Sequence, residues 1–134
     1  MKKTVKSMVD EATAAITTYS IEEARDLHGR DDVQFIDIRD IRELEREGVI
    51  PGAFHAPRGM LEFWVDPESP YHKPVFAQGK QLVLFCAAGW RSALATKTLQ
   101  DMGLPSVAHI DGGFSGWKAA GAPVTDKPAK PAQA

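Results

Sequence analysis

Cys86 is the single cysteine of a 134-residue chain. Ala87, Ala88, Gly89 and Trp90 follow it, then Arg91 and Ser92. A cysteine thiolate can act as a nucleophile and can carry a sulfur atom as a persulfide, provided that its surroundings hold negative charge. The small residues Ala87, Ala88 and Gly89 let the backbone curl tightly, so that successive N–H groups form an anion-binding nest. A helix expected to begin near Ser92 adds the positive end of its dipole, worth about 0.3–1 kcal/mol and up to about 2 in partly buried sites. One cradle would therefore serve both the thiolate and the terminal sulfur of a persulfide. No histidine stands beside Cys86 as a base, and a pre-ionised thiolate needs none, which favours sulfur transfer over acyl transfer. The competing reading is a small buried core residue, since a lone cysteine after Val83-Leu84-Phe85 usually is one; the loop that follows tips the balance towards chemistry.

The elements that must position this loop alternate along the chain. Val33–Ile38 is a short, mostly apolar run rich in β-branched residues, Gln81–Phe85 is another, and Val107–Ile110 a third; each reads as a strand buried in a parallel sheet. Ser20 with Glu23 forms a capping box ahead of a short helix ending at Gly29. Asp40–Glu47 reads as a helix closed by Gly48, Ser92–Met102 as one closed by Gly103, and Phe114–Ala120 as one ending at Gly121. Alternation of this kind implies an α/β fold in three layers: a central, mostly parallel sheet with helices on both faces. Residues 1–15 are a polar, alanine-rich lead, either loose or a short surface helix. Residues 16–124 form the domain, and the proline-rich stretch 125–134 is expected to be a disordered tail.

In such sheets ligands bind beyond the carboxyl ends of the strands, which groups Asp37 and Arg39 with Cys86. Asp37 is expected to accept hydrogen bonds structurally, and Arg39 to pair with Glu43. Arg91 either binds an anionic donor or folds back onto Asp37 or another carboxylate. Trp90 either walls the pocket or packs against Phe63 and Trp64. Gly112, Gly113 and Trp117 read as structural. The histidines, at 28, 55, 72 and 109, have no ligand spacing, so no metal or other cofactor is expected, and His72 alone merits testing.

A formal net charge of -2 with scattered lysines and arginines argues against a nucleic-acid partner. After Met1-Lys2-Lys3, the charges Lys6, Asp10 and Glu11 break any apolar stretch of a signal peptide, and no membrane span is expected. The unpaired thiol fits a reducing compartment, and the cytoplasm is the expected location.

Four stretches together resemble the single-domain rhodanese family from about Ile16 to Val124. They are Phe35-Ile36-Asp37-Ile38-Arg39 with Glu43, Gly48 to Pro57, Cys86 to Ser92, and Asp111-Gly112-Gly113-Phe114-Ser115-Gly116-Trp117 followed by Gly121 to Val124. The chain departs from the family pattern at Val49, where a histidine is usual, and at Ala87-Ala88, which lacks the cationic side chains of some thiosulfate-using members. The resemblance implies that Cys86 takes sulfane sulfur from a donor such as thiosulfate and passes it to cyanide, a thiol or a protein acceptor. Relatives of the same fold act as cysteine phosphatases or arsenate reductases, but with five residues between cysteine and arginine where this chain has four. A non-catalytic binding module of the family is the remaining alternative, and such modules often lack the cysteine.

Overall fold

The computed structural model describes residues 1–128. Its elements run, in order, α1 (Val5–Ala15), β1 (Thr17–Tyr19), α2 (Ile21–Leu27), β2 (Val33–Asp37), α3 (Ile41–Glu47), β3 (Phe54–His55), α4 (Leu61–Val65), β4 (Gln81–Phe85), α5 (Trp90–Asp101), β5 (Val107–Ile110) and α6 (Gly113–Ala119). The strands form one sheet in the order β1-β5-β4-β2-β3, and every pairing within it is parallel. The expected α/β sandwich is therefore present, with helices on both faces.

Strict alternation along the strands divides the core in two. Phe35, Val83, Phe85 and Ile110 pack with Ala24 of α2 and with Phe114 and Trp117 of α6. Ile36, Leu82, Leu84 and Val107 face the other way, onto Leu61 and Val65 of α4 and Ala95 and Leu99 of α5. Trp117 is fully buried; its indole N–H donates to the Pro123 carbonyl at 2.8 Å, and its ring meets Phe35 edge-on. No helix among the described residues is long and apolar enough to cross a membrane.

Several elements differ from expectation for identifiable reasons. β1 and β3 are only three and two residues long, too short for periodicity to reveal; parallel pairing with β5 and β2 defines them. Residues 5–15 form α1, the surface helix that was one of the two expected forms of the lead, and its Val9 and Ala12 pack on Ala93 of α5. α5 starts at Trp90 rather than Ser92, because Gly89 with φ 135 completes the turn inside the loop. Thr125, placed in the expected tail, instead pairs with Val49, its N–H donating to the Val49 carbonyl at 2.9 Å. Residues 129–134, where the rest of the expected disorder falls, lie outside the described residues.

Asp37 and Arg39 fasten the carboxyl end of β2. Arg39 is 1% exposed and bonds to Asp37 rather than to the expected Glu43: Nε reaches Oδ1 at 3.0 Å and Nη2 reaches Oδ2 at 2.8 Å. The same Nη2 donates to the Gly48 carbonyl at 2.9 Å, and the guanidinium lies 3.9 Å from the Phe114 ring centroid. Glu43 is unavailable, because it caps Asp40 at the start of α3 and pairs with Arg91. A buried charge that loses part of its matched donor set is costly, and lysine cannot reproduce the planar fork. Arg39→Lys should therefore lower stability by about 2–4 kcal/mol, measured as the shift in urea midpoint at constant slope; a loss below about 1 kcal/mol would mean that the fork geometry is unimportant.

Candidate active site at the Cys86 loop

Cys86 is the first residue past β4 and is 1% exposed. The loop that follows is moulded from outside by the start of α6. Phe114 N–H donates to the Cys86 carbonyl at 2.8 Å, Ser115 N–H to the Ala87 carbonyl at 3.0 Å, and Gly112 N–H to the Ala88 carbonyl at 3.1 Å. In a trans peptide the N–H points opposite to its C=O, and no cis bond occurs here among the described residues. Each of these three bonds therefore turns a loop N–H away from α6. For the Ala88–Gly89 peptide the outcome is visible: Gly89 N–H points at Cys86 Sγ, 3.1 Å away.

Ser92 adds a hydroxyl from the first turn of α5. Its Oγ is 3.6 Å from Cys86 Sγ, 3.2 Å from the Gly89 carbonyl and 2.9 Å from Nδ1 of His109. Among the described residues Sγ thus has two hydrogen-bonding neighbours, fewer than a nest of several converging N–H groups would give. The difference follows from the early start of α5: the N–H groups after Gly89 belong to a helical turn and align with its axis. His109 was not apparent in sequence. It lies in β5, 23 positions from Cys86, and a register of Leu84 against His109 is what carries it to the loop. A lone polar residue inside the run Val107–Ile110 was the available signal.

Arg91 folds back, the second of its two expected roles, and the carboxylate it meets is Glu43. Nη1 and Nη2 each reach a Glu43 oxygen at 2.9 Å in a bidentate pair. That hydrogen bonding, helped by the Asp40 N–H and the nearby charges of Arg91 and Arg39, holds the Glu43 carboxyl down to about 2 against desolvation. The guanidinium of Arg91 is correspondingly raised, first by its bonds to Glu43 and to a lesser extent by the nearby Cys86 sulfur. Trp90 is 53% exposed on the loop rim, so it is neither core nor enclosed pocket wall; Trp64 packs on Phe54 and Phe63 on Tyr71. His72 Nδ1 is buried without a partner among the described residues. A cleft of about 490 Å³ opens between α3 and α6 beside Ala87, but Cys86 does not line it, and its cations are matched, Arg39 to Asp37 and Arg46 and Lys118 to Glu47.

Gly113 sits where α6 meets the loop, with φ 54. A Cβ there would collide with the Cys86 carbonyl oxygen and lie 2.8 Å from the carbonyl carbon and oxygen of Ala87. Gly113→Ala should cost about 3 kcal/mol from overpacking and left-handed strain combined and displace the loop; an unchanged denaturation midpoint would show that the approach can relax. Glu43 yields a pH dependence. Its folded carboxyl titrates below the ordinary 4.5, so its stabilisation is complete above about pH 4.5 and is lost as pH falls towards about 2. Glu43→Gln should therefore destabilise the protein at neutral pH and flatten that acid limb, read from urea unfolding across pH; an acid limb as steep as wild type would assign it to other carboxylates.

The rhodanese-like domain family model matches residues 20–120. A solved protein from Rhodopseudomonas palustris, described as of unknown function and a possible tyrosine phosphatase, is 54% identical, with TM-score 0.91 over 93% of this chain and 96% of that one. The polysulfide-sulfur transferase homodimer of Wolinella succinogenes is 31% identical, with TM-score 0.69 over 91% of this chain and 87% of that one. A mouse protein named as thiosulfate sulfurtransferase/rhodanese-like domain-containing protein 3 is 30% identical over 100 residues, 71% of this chain and 64% of that protein. The chain spans 58% of a Synechocystis relative's length. With the family match running from α2 to the end of α6, the chain belongs to the rhodanese-like domain family.

Proposed function

We propose that this chain is a sulfurtransferase in which Cys86 carries sulfane sulfur. The observation that carries the reading is the placement of Sγ at the carboxyl end of β4, under the Gly89 N–H at 3.1 Å and ahead of the α5 N-terminus. These are donors for an anion, and sulfur is the atom they address. In the first half-reaction the Cys86 thiolate attacks the sulfane sulfur of a donor such as thiosulfate. The new S–S bond forms as the bond to the sulfonate sulfur breaks, and sulfite leaves with the electron pair. In the second, cyanide or a thiolate attacks the outer sulfur, giving thiocyanate or a new persulfide and returning the Cys86 thiolate. The Ala87 and Ala88 N–H groups, turned away from α6, are the further donors proposed for the outer sulfur. Small sulfur compounds are the proposed partners, with a protein acceptor as the larger alternative and the cytoplasm as the compartment.

Phosphatase chemistry is the second reading, because the Rhodopseudomonas palustris relative is described as a possible tyrosine phosphatase. Here the arginine that would hold a phosphoryl group is committed to Glu43 through two bonds of 2.9 Å, and the four-residue spacing leaves a small ring. A sulfane sulfur needs neither the arginine nor the larger ring. Cys86→Ser should abolish sulfur transfer from thiosulfate to cyanide, by at least about 1000-fold on removal of a covalent carrier, while leaving the circular dichroism spectrum and melting unchanged. Mass spectrometry after thiosulfate treatment should place one reducible sulfur on Cys86. Cys86-dependent release of phosphate from aryl phosphates, without sulfur transfer, would assign the site to the second reading.

A further inference from the structure

His109 has no place in the reaction just described, yet it is 3% exposed, and its Nδ1 lies 2.9 Å from the Ser92 hydroxyl, which in turn lies 3.6 Å from Cys86 Sγ. Its other ring nitrogen, Nε2, is buried with no hydrogen-bond partner among the described residues; neither has the hydroxyl of Thr18, its register partner on β1. We propose that His109 is a positioning residue: a neutral imidazole that donates its Nδ1–H to Ser92 Oγ, so that the Ser92 hydroxyl points its own proton at Cys86 Sγ.

Proton bookkeeping supports this tautomer. Ser92 has one hydroxyl proton and three neighbours able to take it: His109 Nδ1, the Gly89 carbonyl at 3.2 Å and Cys86 Sγ. With the ring proton on Nε2, Nδ1 would be an acceptor and would draw the hydroxyl proton away from sulfur. That arrangement would also bury an N–H donor without a partner, the rarer and costlier kind of orphan. With the proton on Nδ1, the buried orphan is a lone pair, and Ser92 keeps its own proton available for a charged sulfur, a stronger acceptor than a carbonyl. Burial lowers the His109 pKa, with Asp111 opposing, so the ring is neutral and is not the reservoir for the thiol proton.

The role rests on the sulfurtransferase reading in one respect, because the charge on Sγ matters twice in that cycle: Sγ is the nucleophile in the first half-reaction and the leaving group in the second. A donor fixed on Sγ would assist both. The hydrogen-bond chain itself can be tested without any sulfur donor, so failure of one idea does not entail failure of the other.

The test uses iodoacetamide alkylation of Cys86 near pH 7 and near pH 10, where an unperturbed thiol is mostly protonated and mostly ionised respectively. His109→Leu should slow the reaction near pH 7 by roughly tenfold and converge on wild type near pH 10. His109→Asn keeps an amide N–H near the Nδ1 position and should stay within about threefold of wild type. Ser92→Ala should match His109→Leu, and the double variant should be no slower than Ser92→Ala, because the two residues act in series. Equal slowing at both pH values would indicate altered access and overturn the proposal. So would a folded His109→Leu with wild-type reactivity, or His109→Asn as slow as His109→Leu. If His109→Leu does not fold, the wild-type ring answers by itself: nitrogen NMR should show the protonated nitrogen to be Nδ1, and finding the proton on Nε2 would overturn the proposal.

Discussion

Three hydrogen bonds from Gly112 and the first turn of α6 to the carbonyls of Cys86, Ala87 and Ala88 set the orientation of the Cys86 loop. A short loop of small residues has no reason of its own to hold successive N–H groups on one side; left alone, its peptides would rotate and each carbonyl would seek water or a donor. By claiming the three carbonyls, Gly112, Phe114 and Ser115 decide where the opposing N–H groups face. The site is thus built from outside inwards. The α6 backbone orients the loop backbone around Cys86, and Gly113 has to be glycine because the two backbones touch.

The rest of the scaffold holds α6 in place for that purpose. Phe114, whose N–H grips the Cys86 carbonyl, carries the Arg39 guanidinium on its ring. Arg39 in turn is gripped by Asp37 at the end of β2, the strand beside β4. One buried ion pair therefore connects the ends of two adjacent strands to the element that shapes the loop. Trp117, one turn further along α6, anchors it to Phe35 of β2 and to the Pro123 carbonyl. A buried pair of this kind is weak evidence for stability as such; its value here is geometric, since its bonds leave one position for Phe114.

Much of this was legible in sequence, and the limits are physical. The buried strands β2, β4 and β5 are apolar runs bounded by polar residues, and the Ser20 capping box appears in the structure with both of its hydrogen bonds. The edge strands β1 and β3 carry too few residues for any period to show. Which acid meets which base was harder, because local spacing suggests Arg39 with Glu43, four positions apart, whereas the partners are Arg39 with Asp37 and Arg91 with Glu43. That exchange depends on β2 and β4 lying side by side, a tertiary fact. His109 was hidden for the same reason: the spacing between two parallel strands in sequence is set by the crossover helix, so residues that meet through register leave no local signature.

The exchange of ion-pair partners also bears on what kind of anion the loop can hold. Had Arg91 pointed into the cradle, the site would present a planar cation to several oxygens at once, the arrangement suited to a phosphoryl group. Bound to Glu43 it instead braces the first turn of α5 against α3; Sγ itself meets the Gly89 N–H and the Ser92 hydroxyl, and the Arg91 charge reaches Cys86 from the side. Two such neighbours carrying partial charges address one atom, which suits a single, soft, singly charged atom better than a multiply charged oxyanion. In the proposed sulfur transfer the negative charge would sit alternately on Sγ and on the sulfur attached to it, one bond further out. A cradle of fixed dipoles can hold both positions without rearranging, whereas a mobile guanidinium would have to follow the charge. The Arg91–Glu43 pair thus fixes the guanidinium at the edge of the loop, where its charge is felt at Cys86 while both Nη groups stay bonded to Glu43.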